Sequence, residues 1–387
     1  MKILQIIPYY NPAWAFGGPP RVMFDYALGL RKLGHDVSVF TTDAFQAKKR
    51  MTSNRSQING IKIYYFRNVS NKLAWKRRFL PMGFRSALNQ HINKFDILHL
   101  VDTRTYLNAI AWKIAKKVNI PYVVSVFGSL PRRKEGVKTI FDALHTRPMI
   151  QNAAALLAQT DHEKRVYQEF GARDEQLELV LLPINMLDFQ NFPKRNFFRK
   201  KYNIDLNEKI ILFLGRIHKY KGVGLLVKAF NNLLKKNKNI KLVIVGRDDG
   251  GHLQEVINLV NKFKIKDKVL LTGPLYNKNR IPAYIDADIF CLPACNFEET
   301  ATASLEAAAC CTPIIVTKQA SVPWLEQYKA GFHVDYDQQQ FEEKINFLIN
   351  NDSQRLRYGQ NAARLIREKF TINNVCKKLE KIYEKCI

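Results

Sequence analysis

The 387-residue chain is long enough for two to three domains of roughly 150 residues each, with two the expected number. Apolar residues make up 47% and charged residues 25%, an ordinary globular balance that excludes a collagen, a disordered chain and a disulfide-stapled miniprotein. The formal net charge of +27, from 61 Lys and Arg against 34 Asp and Glu, points to a polyanionic partner: nucleic acid, anionic headgroups or phosphorylated substrates.

The chain opens on Met1-Lys2-Ile3-Leu4-Gln5-Ile6-Ile7-Pro8, too short an apolar stretch for a signal peptide and better read as a first buried strand. A protein that stays inside the cell is expected. No later apolar run approaches the ~18 residues of a spanning helix. Met23, Tyr26, Ala27 and Leu30 repeat at helical spacing, and Gly34 stops that helix. Strand-like runs follow at 37–41, 61–66, 97–101, 121–126, 153–157 and 179–182, with helical patterns between several of them. The stretch 191–208, rich in Asn, Phe, Lys and Arg and containing Pro193, reads as an interdomain connection. A second series starts at 210–214 and continues at 241–245, 269–271, 289–292 and 314–317. Polar helical stretches at 338–368 and 372–385 finish the chain. Strands alternating with helices argue for parallel sheets covered by helices on both faces, with ligands beyond the strands' carboxyl ends. The expected organisation is an α/β domain over 1–190, the connection, a second α/β domain over 209–368, and a terminal helix over 369–387 packing back on the first domain.

Between Lys48 and Lys94 there are twelve Lys and Arg and no acidic residue. On a helix, Trp75, Phe79 and Met82 would share a face flanked by Lys72, Lys76 and Arg78, with Arg77 adding to the charge. That is the pattern of an interfacial membrane helix. A solvated basic face with its aromatics in the core is the alternative. Arg132-Arg133-Lys134 adds a second basic loop. The six cysteines, Cys291, Cys295, Cys310, Cys311, Cys376 and Cys386, form no CxxC pair and read as reduced thiols. A nucleic-acid binder lacks support, because no aromatic-basic RNA signature, zinc finger or basic recognition helix is present.

Three segments could carry chemistry. Gly17-Gly18 lies between the first strand and the first helix, where a backbone can approach an anion closely. An ordinary strand-to-helix turn would look the same. Gly215-Arg216 ends a strand, and Lys221-Gly222 precedes a helix; two such cations suit a diphosphate. Glu298 and Glu306 stand eight apart, with Ala301, Thr302 and Ala303 between them at a helix start. The pair would offer acceptors for sugar hydroxyls beside an anion-binding helix end. Asp286-Ala287-Asp288 has the form of a metal-binding Asp-x-Asp but directly precedes a strand, which argues against that use.

Together these segments resemble glycosyltransferase family 4, the retaining nucleotide-sugar transferases of GT-B fold. Gly17-Gly18 resembles the family's glycine loop. Asn185-Met186-Leu187-Asp188 with Phe192 resembles its Asn-Gly-Val-Asp…Phe signature. Gly215-Arg216…Lys221-Gly222 resembles its Gly-Arg…Lys-Gly motif. Val245-Gly246 and Thr272-Gly273 resemble the glycine turns that follow, and Glu298 with Glu306 resembles its Glu-x7-Glu motif.

The resemblance implies an α/β GT-B chain of two Rossmann-like, doubly wound domains with a cleft between them. It implies that Arg216 and Lys221 hold the donor diphosphate and stabilise the leaving group. Glu306 would bind the ribose hydroxyls, Glu298 the donor sugar, and Ala301–Ala303 would lie near sugar and phosphate. Gly18 would meet the diphosphate from the first domain, with Gly17, Gly215 and Gly273 completing the donor site. No cofactor or metal is implied beyond the nucleotide sugar, with UDP expected ahead of GDP on family frequency. The expected acceptor is a lipid-linked saccharide or glycolipid, taken up by a protein peripheral on the anionic inner face of the cytoplasmic membrane. A nucleotide-sugar epimerase, a phosphorylase or an inactive homologue are alternatives on the same architecture. The chain departs from the family at Phe127 (often His), Thr300-Ala301 (in place of a glycine-rich turn), Cys311 and Met186 (usually Gly).

Overall fold

The computed structural model describes residues 1–130, 136–189, 193–296 and 301–387, without the side chains of 136–138. The chain divides into two compact units. One is Met1–Pro183 together with Ile372–Ile387; the other is Ile184–Thr371.

The first unit holds an eight-stranded sheet. Its strands are β1 (Lys2–Ile6), β2 (Asp36–Thr42), β3 (Arg55–Ile58), β4 (Ile61–Phe66), β5 (Ile97–Val101), β6 (Tyr122–Ser125), β7 (Ala155–Ala158) and β8 (Leu177–Leu179). The order is β3-β4-β2-β1-β5-β6-β7-β8. All neighbours are parallel except β3 and β4, which pair antiparallel at one edge. The central strands are buried along their length, as a sheet covered on both faces requires.

Helix Ile372–Cys386 returns to this unit and packs on helix Pro19–Lys32. A Cβ on Gly29 would stand 2.2 Å from Cys376 Sγ, so only glycine lets the two helices approach this closely. The Tyr383 hydroxyl lies 2.7 Å from His99 Nδ1, and His99 Nε2 lies 2.8 Å from Ser125 Oγ. Burial lowers the His99 pKa to about 3, so the ring stays neutral between these two hydroxyls.

The second unit holds six parallel strands: β9 (Lys209–Leu214), β10 (Ile240–Val245), β11 (Val269–Gly273), β12 (Ile289–Leu292), β13 (Ile314–Thr317) and β14 (Gly331–Val334). Their order is β11-β10-β9-β12-β13-β14, with the reversal of strand order at β9. The polar stretch expected over 338–368 forms two helices, Gln338–Asn350 and Asp352–Leu365, separated at Asn351.

The segment expected as a connection belongs to the second unit. Helix Phe197–Lys201 carries Arg199, 4% exposed, whose guanidinium donates to Asp288 Oδ2 at 3.0 Å and to the carbonyls of Asp205 and Glu208. Asp286 accepts from the backbone N–H groups of Asn196 and Arg199. Asp288 also accepts from the Ile210 N–H at the foot of β9 and pairs with Arg355. The Asp286 carboxylate therefore anchors backbone N–H groups, and the Asp288 carboxylate anchors a backbone N–H and two guanidinium groups. Among the described residues, no cluster of His, Cys, Asp or Glu is arranged to hold a metal ion.

The basic stretch does not form an amphipathic helix. Ser70 caps a single short helix, Asn71–Trp75, and Arg77 then takes a left-handed backbone at φ 61°. Beyond it Pro81 has no N–H to give a helix, and residues 80–82 fold back to pair with Arg67–Val69. Phe79 turns inward against Tyr9 and Phe16 and is buried. Trp75, Leu80 and Met82 stay exposed, as do Lys72, Lys76 and Arg78. Arg77 donates to the Phe16 carbonyl and lies over the Tyr9 ring. Arg132 and Arg133 lie outside the described residues. No helix among the described residues is long and apolar enough to cross a membrane, and all six cysteines are free thiols.

Candidate functional site

In the second unit the residues singled out from the sequence gather at the carboxyl ends of one parallel sheet. Strand β9 delivers Gly215 and Arg216, β10 delivers Gly246, β11 ends at Gly273, and the chain after β12 leads to helix Thr302–Ala309. Backbone bonds tie these loops side by side. The Gly215 N–H donates to Val245 O, the Gly246 N–H to Gly273 O, and the Ile217 N–H to Arg247 O. A Cβ on Gly246 would stand 1.8 Å from Gly215 O, so a side chain there would push the two loops apart.

Lys221 ends a short 3-10 turn, and Gly222 follows in the left-handed region at φ 66°. A Cβ on Gly222 would meet Pro293 O at 1.8 Å, and the Cys295 N–H donates to Tyr220 O. The Lys-Gly turn is thus docked on the loop after β12, and it opens the 14-residue helix Val223–Lys236. Lys221 is half-buried there. Arg216 is exposed, with one carboxylate partner among the described residues, Asp249, at 2.5 Å.

Glu306 lies in the second turn of helix Thr302–Ala309 and is buried. Arg280 grips its carboxylate with both arms, Nε to Oε2 at 2.7 Å and Nη2 to Oε1 at 2.6 Å, and the Tyr284 hydroxyl donates to Oε2 at 3.1 Å. Burial first, then the Glu306 charge, raises the Tyr284 pKa well above its ordinary value and keeps the phenol a donor. Burial works against the charged form of Arg280, and the carboxylate more than compensates, so its pKa is raised. An ionised carboxylate has about four acceptor sites, and three are filled here. Ala301 at the helix start makes no side-chain cap, and Thr302 and Ala303 form the first turn. Glu298 lies outside the described residues.

In the first unit, Gly17 takes φ 114° and Gly18 stands at the start of helix Pro19–Lys32. Phe127 occupies the left-handed region at φ 45°, and the next residue, Gly128, donates its N–H to Glu163 Oε1 at 2.7 Å. Sequence reasoning passed over Glu163, Asp249, Arg280 and Tyr284. Asp249, Arg280 and Tyr284 meet their partners Arg216 and Glu306 across 22 to 33 residues, which no local spacing marks; for Glu163, the Thr160-x-x-Glu163 spacing at a helix start was a local signal.

The two units match two families in chain order. Residues 17–183 match the family described as Glycosyl transferase 4-like domain, and residues 194–365 match Glycosyl transferases group 1. With an α/β sheet behind each, these matches define the class: the protein is a GT-B glycosyltransferase. An uncharacterized glycosyltransferase of Methanocaldococcus jannaschii is 22% identical, over 99% of this chain and 98% of that one. The alpha-monoglucosyldiacylglycerol synthase of Streptococcus pneumoniae is 24% identical, over 74% of this chain and 64% of that one. The Anabaena protein HepE, solved in complex with UDP, superposes with a TM-score of 0.79 at 16% identity, over 99% of this chain and all of that one.

Proposed function

We propose that this is a retaining transferase of family 4, moving a sugar from a nucleoside diphosphate to a lipid-linked saccharide or glycolipid. UDP is put ahead of GDP as the carrier. The observation that carries the reading is the convergence of Arg216, the docked Lys221-Gly222 turn and the start of helix Thr302–Ala309 at the ends of neighbouring parallel strands. As the bond between the anomeric carbon and the phosphate oxygen breaks, negative charge grows on the diphosphate. Arg216 and Lys221 stabilise that charge, and the first-turn N–H groups of the helix add to it. Gly215 and Gly273 keep the loops low enough for the nucleotide. Glu306 has about one acceptor site left for a ribose hydroxyl. Glu298 takes the donor sugar's hydroxyls.

The lipid synthase among the relatives supports the lipid acceptor, and the UDP complex of the Anabaena protein supports the carrier. The acid-free stretch, with Lys72, Lys76 and Arg78 exposed beside Trp75, Leu80 and Met82, supports peripheral docking on the anionic inner face of the cytoplasmic membrane.

Thermal-shift titration with UDP-, GDP- and ADP-sugars tests the donor site. UDP-sugars should raise the melting temperature. A response to GDP- or ADP-sugars alone would revise the carrier, and no response to any would remove the reading. EDTA should leave turnover unchanged, since cations and helix ends carry the charge. Loss of turnover restored by a divalent metal would contradict this.

A further inference from the structure

A cavity of about 700 Å³ opens in the first unit between helix Tyr106–Lys117, the segment from Arg77 to the start of helix Phe84–His91, and the turn around Phe141 and His145. Its size falls within the roughly 300–1,000 Å³ of small-molecule sites. The floor is hydrocarbon: Phe79, Ala109 and Ile114 are buried, with Ile110, Leu80 and Phe141 beside them. The rim is cationic, and no acidic side chain among the described residues lines it.

Two of the lining cations are already engaged. Arg104 forks onto Asp142 at 2.8 Å through both Nε and Nη2, and Arg77 is held by the Phe16 carbonyl. Arg78, Arg85 and Lys113 are exposed and have no carboxylate partner among the described residues. His145 Nδ1 is buried with no hydrogen-bond partner among the described residues. Burial first, then Lys113, lowers the pKa of this ring, so it is neutral and able to donate one N–H.

A free phosphate would leave the apolar floor wet. A neutral hydrocarbon would bury nothing against the cations and would leave His145 unpaired. One ligand class uses both surfaces. We propose that this cavity holds a single anionic amphiphile, a lipid phosphate or diphosphate, with its hydrocarbon against Phe79, Ala109, Ile110 and Ile114 and its phosphate among Arg78, Arg85, Lys113 and His145. The inference rests on the reading of the protein as a transferase with a lipid-linked acceptor, and it names where the acceptor's lipid end is held. Hydrocarbon burial supplies affinity in proportion to the chain covered, and the guanidinium and ammonium groups select the phosphate.

The test is calorimetric titration of the full chain with farnesyl phosphate below its micellar concentration, beside farnesol and inorganic phosphate. Farnesyl phosphate should bind at least 10-fold more tightly than either control. Ile110→Trp, which fills the cavity, and the pair Arg85→Glu with Lys113→Glu should each weaken it at least 10-fold. The thermal shift given by UDP should be unchanged in these variants, which also shows that they fold. Equal binding by parent and variants overturns the proposal. Capture by anionic vesicles without binding of monomeric farnesyl phosphate also overturns it, in favour of a flat membrane contact. The two readings fail separately: loss of the UDP response in the parent, with farnesyl phosphate still bound, removes the transferase reading and leaves the cavity.

Discussion

Arg216→Ala and Lys221→Ala should each lower turnover by about 10²–10³-fold, the range seen when one preorganised donor to a developing negative charge is removed. That corresponds to roughly 3–4 kcal/mol of the barrier. The melting temperature should barely move for Arg216→Ala, because its carboxylate contact with Asp249 is more than half exposed on the arginine side. An exposed ion pair contributes only about 0–1 kcal/mol. Activity should therefore fall without stability, and the loss should sit in kcat more than in KM. Near-normal turnover in both variants would remove the diphosphate assignment. Lys221→Arg is an informative control. It keeps the charge but changes its shape from a point to a fork, so partial activity is expected.

Asp288→Ala should do the reverse and destabilise the second unit by about 3–5 kcal/mol, the usual result of stripping one partner from a buried ion pair. Its two oxygens serve Arg199, Arg355 and the Ile210 N–H, and all three would be left without it in a site that is about 5% exposed. Chemical denaturation should show the loss as a lower midpoint. Asp288→Asn should recover part of it, because the amide oxygen can still accept from Ile210, while the charge opposite two guanidinium groups is gone. A midpoint within about 0.5 kcal/mol of the parent, as for an ordinary surface substitution, would mean that the pair is not structural.

The parallel strands were legible because both faces of each sheet are covered, so β9 and β12 read as near-continuous apolar runs, and β1 and β5 as apolar runs each interrupted by one buried polar residue, Gln5 and His99. Strand β3, Arg55–Ile58, was invisible for the opposite reason: it is a polar edge strand with alternating exposure. Strand β14, Gly331–Val334, is only four residues and includes His333. The stretch around Trp75 misled because aromatics spaced by four fit a helix face equally well when one of them turns into the core. Pro81 and Gly83 were the local signs against a long helix. The Gly-Arg and Lys-Gly turns were legible because glycine is needed where backbones touch, and Gly222 and Gly246 each sit where a Cβ would strike a carbonyl oxygen. The grip of Arg280 on Glu306 spans 26 residues, and the cavity beside Lys113 and His145 is assembled from three separate segments. Contacts of that kind are made by folding and leave no spacing to read.

The most direct test of the central claim is the product itself. The chain is incubated with UDP-sugars and a lipid diphosphate-linked saccharide, and the anomeric configuration of the extended lipid is read by NMR. Release of UDP should be matched one-to-one by sugar added to the lipid, with the configuration of the donor kept. A product of inverted configuration, or UDP release with free sugar and no extended lipid, would contradict it.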